Sequence, residues 1–351
     1  MKLFSKWVPG LVVTGGLAVM AWWIAEKVYS LQLPLGIPGK ALEYPLWAAL
    51  TGLLGNIVLK QWGKYEAIKP GLQTELFLKT GLVLLGAGIN LSLLLRAASG
   101  ALVQALILVP AVFFFCWWLG GKFHLEDKLR AVMSAAVSIC GVSAAIAAAG
   151  AVLAKKEHVT YITALVIVTA LPLMVLLPVV AGALHLPEPI AGAWFAGNID
   201  TTAAVVGAGT IYGEQAQKVA SIVKSAQNAL IGVAAFLLAL AFAIREGRAQ
   251  AQKPSPRLIW ERFPKFVLGF ILASVLYTLG IIDGGKGTLI DALKNWAFTF
   301  AFVGMGLELS AKEFRAMGWR PVSVFLITTV FNLLLALGTA WVIFGTLLPI
   351  P

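Results

Sequence analysis

The sequence predicts an all-α polytopic membrane protein of about 11 transmembrane helices, arranged as inverted five-helix repeats with discontinuous helices. Three observations predict it. Of 351 residues, 60% are hydrophobic and only 12% are charged, about half the charged share of a soluble domain. Apolar runs of about 20 residues, the length that crosses a bilayer, recur along the chain. Lys and Arg gather between those runs, where such charges set topology. A β-barrel would show short alternating segments instead.

The first span is expected over 8–28. Its basic lead resembles a secretory signal, but the apolar run is too long and no A-x-A site follows. Further spans are expected at 41–60, 73–95, 99–120, 128–154, 158–184 (with Pro172 and Pro178 inside it) and 190–212, the least apolar. The remaining four fall at 215–244, 259–282, 288–310 and 321–346, with a polar loop at 245–257. The units are then an extra N-terminal helix in 1–40, a first helical unit in 41–186 and a second in 187–351. With the N-terminus in the cytoplasm, sixteen Lys/Arg lie inside and eight outside, the bias that favours this orientation and an odd number of spans. Lys155 and Lys156 fall outside in this scheme. Eleven spans divide as one plus five plus five, and tandem five-span units are inverted relative to each other. GAGINLS at 86–92 matches GMGLELS at 304–310. That pairs the third span with the tenth, whereas a simple five-span repeat pairs the third with the eighth. Asn90, Glu308, Lys79 and Lys294, in or before these stretches, read as interfacial.

The net charge of +11 does not imply a nucleic-acid partner, because it sits in inter-span loops; the partner is the lipid bilayer. Cys116 and Cys140 lie inside apolar segments, and His124, His158 and His185 lie at span ends. No disulfide framework, metal site or cofactor motif is expected.

Three stretches carry chemistry. In SICGVSAAIAAAG (138–150), small residues at fourfold spacing allow close helix packing. Ser138, Cys140, Gly141 and Ser143 also suit a helix broken at mid-membrane near 138–143, whose free N–H groups attract anions. In GNIDTTAAVVGAG (197–209), Asn198, Asp200, Thr201 and Thr202 are either a site at membrane depth or an exposed loop. In KVASIVKSAQNALIG (218–232), Lys224, Gln227 and Asn228 share a helix face. Lys224 lies too deep to snorkel, so it pairs with Asp200, binds an anion, or does both in turn.

At these stretches the chain resembles the YeiH-type sulfate exporters, bacterial inner-membrane proteins distantly similar to the sodium/bile-acid symporter and cation–proton antiporter clan. The resemblance rests on Ser138 through Ala144, Asp200-Thr201-Thr202 with 205–209, Val223-Lys224 with Gln227-Asn228, and 304–307 with Gly318 and Pro321. Where members of that family carry a His, an acidic residue and a later Gln, this chain has Asp200, Thr201 and Ala204. A His-based proton relay is therefore not expected. The resemblance implies a secondary transporter, not an enzyme, that exports a small oxyanion such as sulfate or a sulfonate. Its implied anion-binding residues are Ser138, Cys140, Gly141, Ser143, Asn198, Thr201, Thr202, Lys224, Gln227 and Asn228. Asp200 would be the charge partner of Lys224 or bind a coupling proton or sodium ion. A homodimer is compatible with this reading. One rival is a cation–proton antiporter with Asp200 as cation ligand. A remote rival is an intramembrane hydrolase using Ser138, Cys140 or Ser143, which would need a base within reach.

Overall fold

The computed structural model describes residues 2–29, 44–245, 265–282, 284–308 and 318–350, which hold helices and turns and no strand. Residues 30–40 of the expected N-terminal unit and 246–257 of the expected cytoplasmic loop lie outside the described residues. Among those described, five helices are long and apolar enough to cross a membrane: Trp7–Val28, Leu91–Lys122, Glu157–Ala183, Glu214–Phe242 and Trp319–Leu347. The chain is a multi-pass helical membrane protein.

Two bundles divide the helices. The smaller bundle contains α1 (Lys2–Tyr29), α2 (Tyr44–Gln61), the short α3 (Tyr65–Ile68) and α4 (Thr74–Gly86). It also contains two late helices, Phe266–Thr278 and Gly284–Leu307. Small residues draw these helices together. A Cβ on Gly52 of α2 would lie 3.1 Å from the Gly306 Cα, so neither position takes a larger residue without separating the helices. Trp22 of α1 stacks on Tyr44 of α2 at 5.0 Å. The expected third span is shorter than the sequence suggests. It stops at Gly86, and Asn90 restarts the chain as the N-cap of α5 (Leu91–Lys122), its side chain accepting from Ser92 N at 2.9 Å.

The larger bundle is built on α5. Two segments that the sequence presents as spans do not cross. In the first, α6 (Asp127–Ser138) ends, the backbone leaves helical geometry at Ile139–Gly141, and α7 (Val142–Val152) runs back. Lys128 Nζ, at the foot of α6, donates to Leu153 O, just past α7, at 3.3 Å. A straight helix would hold those residues about 38 Å apart. Lys155 and His158, at the start of α8 (Lys156–Ala183), each reach Glu126 at 3.4 Å. Residues 127–152 are thus a re-entrant hairpin with both feet on one face. The sequence reading that put Lys155 and Lys156 across the membrane from Lys128 is corrected by these contacts.

The second segment folds back in the same way. α9 (Glu188–Asn198) and α10 (Thr202–Tyr212) are joined by an extended turn, and α11 (Glu214–Ala229) follows. Glu188 Oε2 at the foot of α9 accepts from Gln215 N at 2.8 Å and Ala216 N at 3.0 Å, beyond the far end of α10. The Tyr212 hydroxyl donates to Leu186 O. α8 runs 28 residues between the two pairs of feet, about 42 Å, so the hairpins enter from opposite faces. Their arms of 11 or 12 residues, about 17 Å, reach the middle of a bilayer core about 30 Å thick. Apolar length misleads here because a full span and two half-length arms contain the same number of residues.

α11 runs on through a bend at Leu230 into α12 (Ile231–Arg245). With the two late helices of the small bundle numbered α13 (Phe266–Thr278) and α14 (Gly284–Leu307), the last is α15 (Trp319–Ala340), whose final turns are π-helical to Leu347. α15 packs on α5 through Phe115 and Phe331, stacked at 4.0 Å.

The fold-back has a direct test. Single cysteines at Glu126 and at Lys155, in a background lacking Cys116 and Cys140, should react with an impermeant maleimide from the same membrane face. A cysteine at Lys218 should react only from the other. Labelling of the first two from opposite faces would show a straight span instead.

Candidate functional site

The hairpin tips meet, and what they present differs on each side. Each tip exposes the C-terminal carbonyls of its first arm and the N-terminal amides of its second, which an uninterrupted helix would satisfy internally. Lys224 of α11 takes the carbonyls. Its Nζ donates to Ile139 O at 2.7 Å, to Ile199 O at 2.8 Å, to Ala196 O at 3.3 Å and to Gln227 Oε1 at 3.1 Å. The side chain is 1% exposed. One ammonium therefore joins both tips and sits at the negative ends of two helix dipoles. α11 is polar enough along one side to bury Ser221, Lys224, Gln227 and Asn228 together because that side faces hairpin backbone rather than lipid.

The amide ends face a cavity of about 1080 Å³ between the two bundles. Cys140, Val142 and Ser143 line it from the first tip, Thr201, Thr202 and Ala203 from the second, and Asn228 from α11. The Thr201 hydroxyl caps α10, accepting from Ala204 N at 3.2 Å. Asn228 Nδ2 lies 3.2 Å from Thr202 Oγ1, and its other amide atom has no partner. Because a hydroxyl can donate or accept, the Asn228 amide can turn either its oxygen or its NH2 to the cavity. The small bundle supplies the opposite wall: Gln73, Thr74, Glu75 and Lys79 of the α4 region, Lys265 before α13, and Met305 and Glu308 at the end of α14. Thr74 donates to Glu308 at 2.7 Å, and Lys79 pairs with Glu75 at 2.7 Å.

The structure thus places Cys140, Ser143, Thr201, Thr202 and Asn228 on the cavity. Ser138, Gly141, Asn198, Asp200, Lys224 and Gln227 are grouped behind them at the tips, within the protein. Lys224 and Asp200 form no ion pair; backbone carbonyls hold the ammonium instead. Gln227 accepts from Lys224, which leaves its Nε2 unpartnered. Glu308 and Lys79, read from sequence as interfacial, line the cavity. The signal for them was available: Glu75 and Lys79 are an i,i+4 ion pair inside an apolar run, where only a watery surface accommodates both charges.

Residues 9–325 match the family profile described as "Conserved hypothetical protein 698". A UPF0324 membrane protein of Rhodopirellula baltica is 36% identical over 93% of this chain, and one of Nitratidesulfovibrio vulgaris is 36% identical over 98%. The chain spans 61% and 60% of the length of those two relatives. A UPF0324 membrane protein of Rhizobium meliloti is 28% identical over 95% of this chain and 91% of its own length. No solved structure matches. With a profile covering nearly all of its helices, the chain belongs to the Conserved hypothetical protein 698 family, whose relatives are named UPF0324 membrane proteins.

Proposed function

We propose that this protein is a secondary transporter of a small oxyanion, such as sulfate or a sulfonate, across the bacterial inner membrane. One observation carries the reading: the amide ends of two half-helices converge on one cavity, while the opposing carbonyl ends are neutralised by Lys224. The deep end of the cavity is then electropositive from the dipoles and the ammonium together, and its hydroxyls and amides suit an anion. The cavity is far larger than sulfate, so it serves as both site and access path. It lies between two bundles that could move as bodies, the arrangement that alternating access needs.

The same fold supports a revised topology in which two of the expected spans are re-entrant hairpins. Folding back the first hairpin moves Lys155 and Lys156 to the majority side. The sixteen-to-eight bias of Lys/Arg becomes eighteen to six, which strengthens an N-terminus in the cytoplasm. The match between 86–92 and 304–310 now pairs α4 with α14 and α5 with α15. Hairpin pairs with hairpin, α8 with α11–α12, and α2 with α13. Every pair runs in opposite senses, as an inverted repeat whose second copy is circularly permuted. That explains why the third span matches the tenth and not the eighth.

Proteoliposomes loaded with labelled sulfate test the function. Flux should be saturable, and Ser143→Ala and Thr202→Val should each weaken apparent affinity about tenfold, the worth of one hydrogen bond to a charged group. A sodium-driven pH change with no sulfate flux would replace this reading with the cation–proton antiporter.

A further inference from the structure

The cavity between the bundles carries a belt of apolar side chains between two polar levels, which a bare inorganic ion has no use for. At the tips the lining is polar, with Ser143 of α7 and Asn228 of α11. One turn further along each helix the same face becomes apolar, at Ile146 on α7 and at Ile231 where α12 begins. The small bundle shows the same change from the opposite end. On α4, Thr74 is followed at fourfold spacing by Leu78 and Leu82, which share its face and line the cavity with it. Glu308, just past α14, is preceded three residues earlier by Met305. Thr74 and Glu308 are joined at 2.7 Å, so these two series start from one polar level. Lys79 turns its ammonium one turn back to Glu75 at 2.7 Å, toward that level. Phe266, the first residue of α13, completes the belt next to Lys265. Leu82 and Met305 are 1% and 4% exposed, so this side of the belt belongs to the protein interior and not to the lipid-facing surface.

The belt is one helical turn high, about 5 Å, and carbon–carbon bonds of about 1.5 Å put about four carbons in that height. We propose that the substrate is an amphipathic organic anion, a sulfonate whose head lies at the hairpin tips and whose short alkyl body lies against Ile146, Ile231, Leu78, Leu82, Phe266 and Met305. The tips supply amides, hydroxyls and the charge of Lys224, which suit the head. The belt offers nothing to a hydrated ion and disfavours one stripped of water. An apolar body gains from it in proportion to the area it removes from water, about threefold in affinity for each methylene group. The cavity, about 1080 Å³, holds such a molecule with room for water at the polar level of Thr74 and Glu308. Such a substrate is one member of the oxyanion class proposed above, and its assignment rests on that reading.

The test is thermal unfolding of the purified protein in detergent, at constant pH and ionic strength, titrated with sulfate and with methane-, ethane-, propane- and butanesulfonate. Each sulfonate should raise the melting temperature saturably. Half-saturation should fall about threefold per added carbon, so that butanesulfonate binds about thirtyfold tighter than methanesulfonate. Ile146→Ser and Ile231→Ser should each cut that ratio about threefold. The ratio is read within each variant, so a change in stability does not disturb it, and Ile146 is 57% exposed, a position that accepts serine without a cavity in the core. Butyltrimethylammonium, with the same chain and the opposite charge, should give no increment. An increment equal to that of butanesulfonate would place the chain on the outer apolar surface and overturn the assignment, as would a ratio unchanged in both serine variants. A sulfate increment with a flat sulfonate series overturns this assignment and leaves the oxyanion reading standing. No increment with sulfate or any sulfonate overturns both. A sloped series without a sulfate increment supports the sulfonate and removes sulfate.

Discussion

Lys224→Met should abolish sulfate flux while lowering stability only moderately. Two terms oppose each other in stability. The substitution leaves the Ile139 and Ile199 carbonyls and Gln227 Oε1 without their donor, at about 1–3 kcal/mol each. It also relieves the burial of an ammonium, which costs several kcal/mol. In binding, nothing opposes the loss. A unit charge about 7 Å from a divalent anion contributes about 5 kcal/mol at an effective dielectric of 20, more than a thousandfold in affinity. Unmasking two carbonyl helix ends beneath the site adds repulsion. Lys224→Arg should not rescue, since a planar guanidinium cannot meet oxygens arranged around a compact ammonium. Labelled-sulfate flux and detergent melting curves read the two effects separately. Undiminished flux in the methionine variant would remove Lys224 from the mechanism.

Gly141→Ala should be strongly disruptive for the addition of a single methyl group. Gly141 has φ +67° and ψ −104°, a region that side-chain-bearing residues avoid, at about 1–3 kcal/mol. A Cβ there would also collide with Val166 of α8 and stand 3.0 Å from Asp200 O on the opposing tip. Overpacking typically costs another 1–3 kcal/mol. The melting temperature should fall by about 5 °C or more, and flux by at least tenfold, because the extra carbon wedges the two tips apart. Gly150→Ala is the control. Nothing lies within 4 Å of a Cβ at that position, and alanine there should stabilise α7 by up to about 1 kcal/mol. Equal effects from the two substitutions would show that the tip contact has no special role.

What the sequence discloses and what it conceals have physical causes. Membrane residence is legible because a bilayer imposes a composition, and the polar residues at the tips are legible because each is expensive at depth. Gly141, between Cys140 and Val142, is where the first tip turns. The reversal itself is not legible. A hairpin and a straight span share hydropathy and length, and the contacts that distinguish them, Lys128 with Leu153 and Glu188 with Gln215, join feet 25 and 27 residues apart. The partner of Lys224 is hidden for a related reason. Sequence inspection pairs side chains, so Asp200 is the natural choice, whereas the ammonium is held mainly by backbone that every residue possesses. The far wall of the cavity comes from α4, α13 and α14, and no local pattern links Thr74 to Glu308, 234 residues away.

The tie between Lys224 and Ile139 also sets a timetable for biosynthesis. The first tip leaves the ribosome 85 residues before the side chain that satisfies it, several seconds at about 5–20 residues per second. Through that interval its carbonyls have no donor, and lipid supplies none. The first hairpin should therefore wait at the membrane face and enter only after α8 and the second hairpin have been made and α11 has followed. A chain truncated before residue 224 should leave 127–152 open to protease from the side on which it waits.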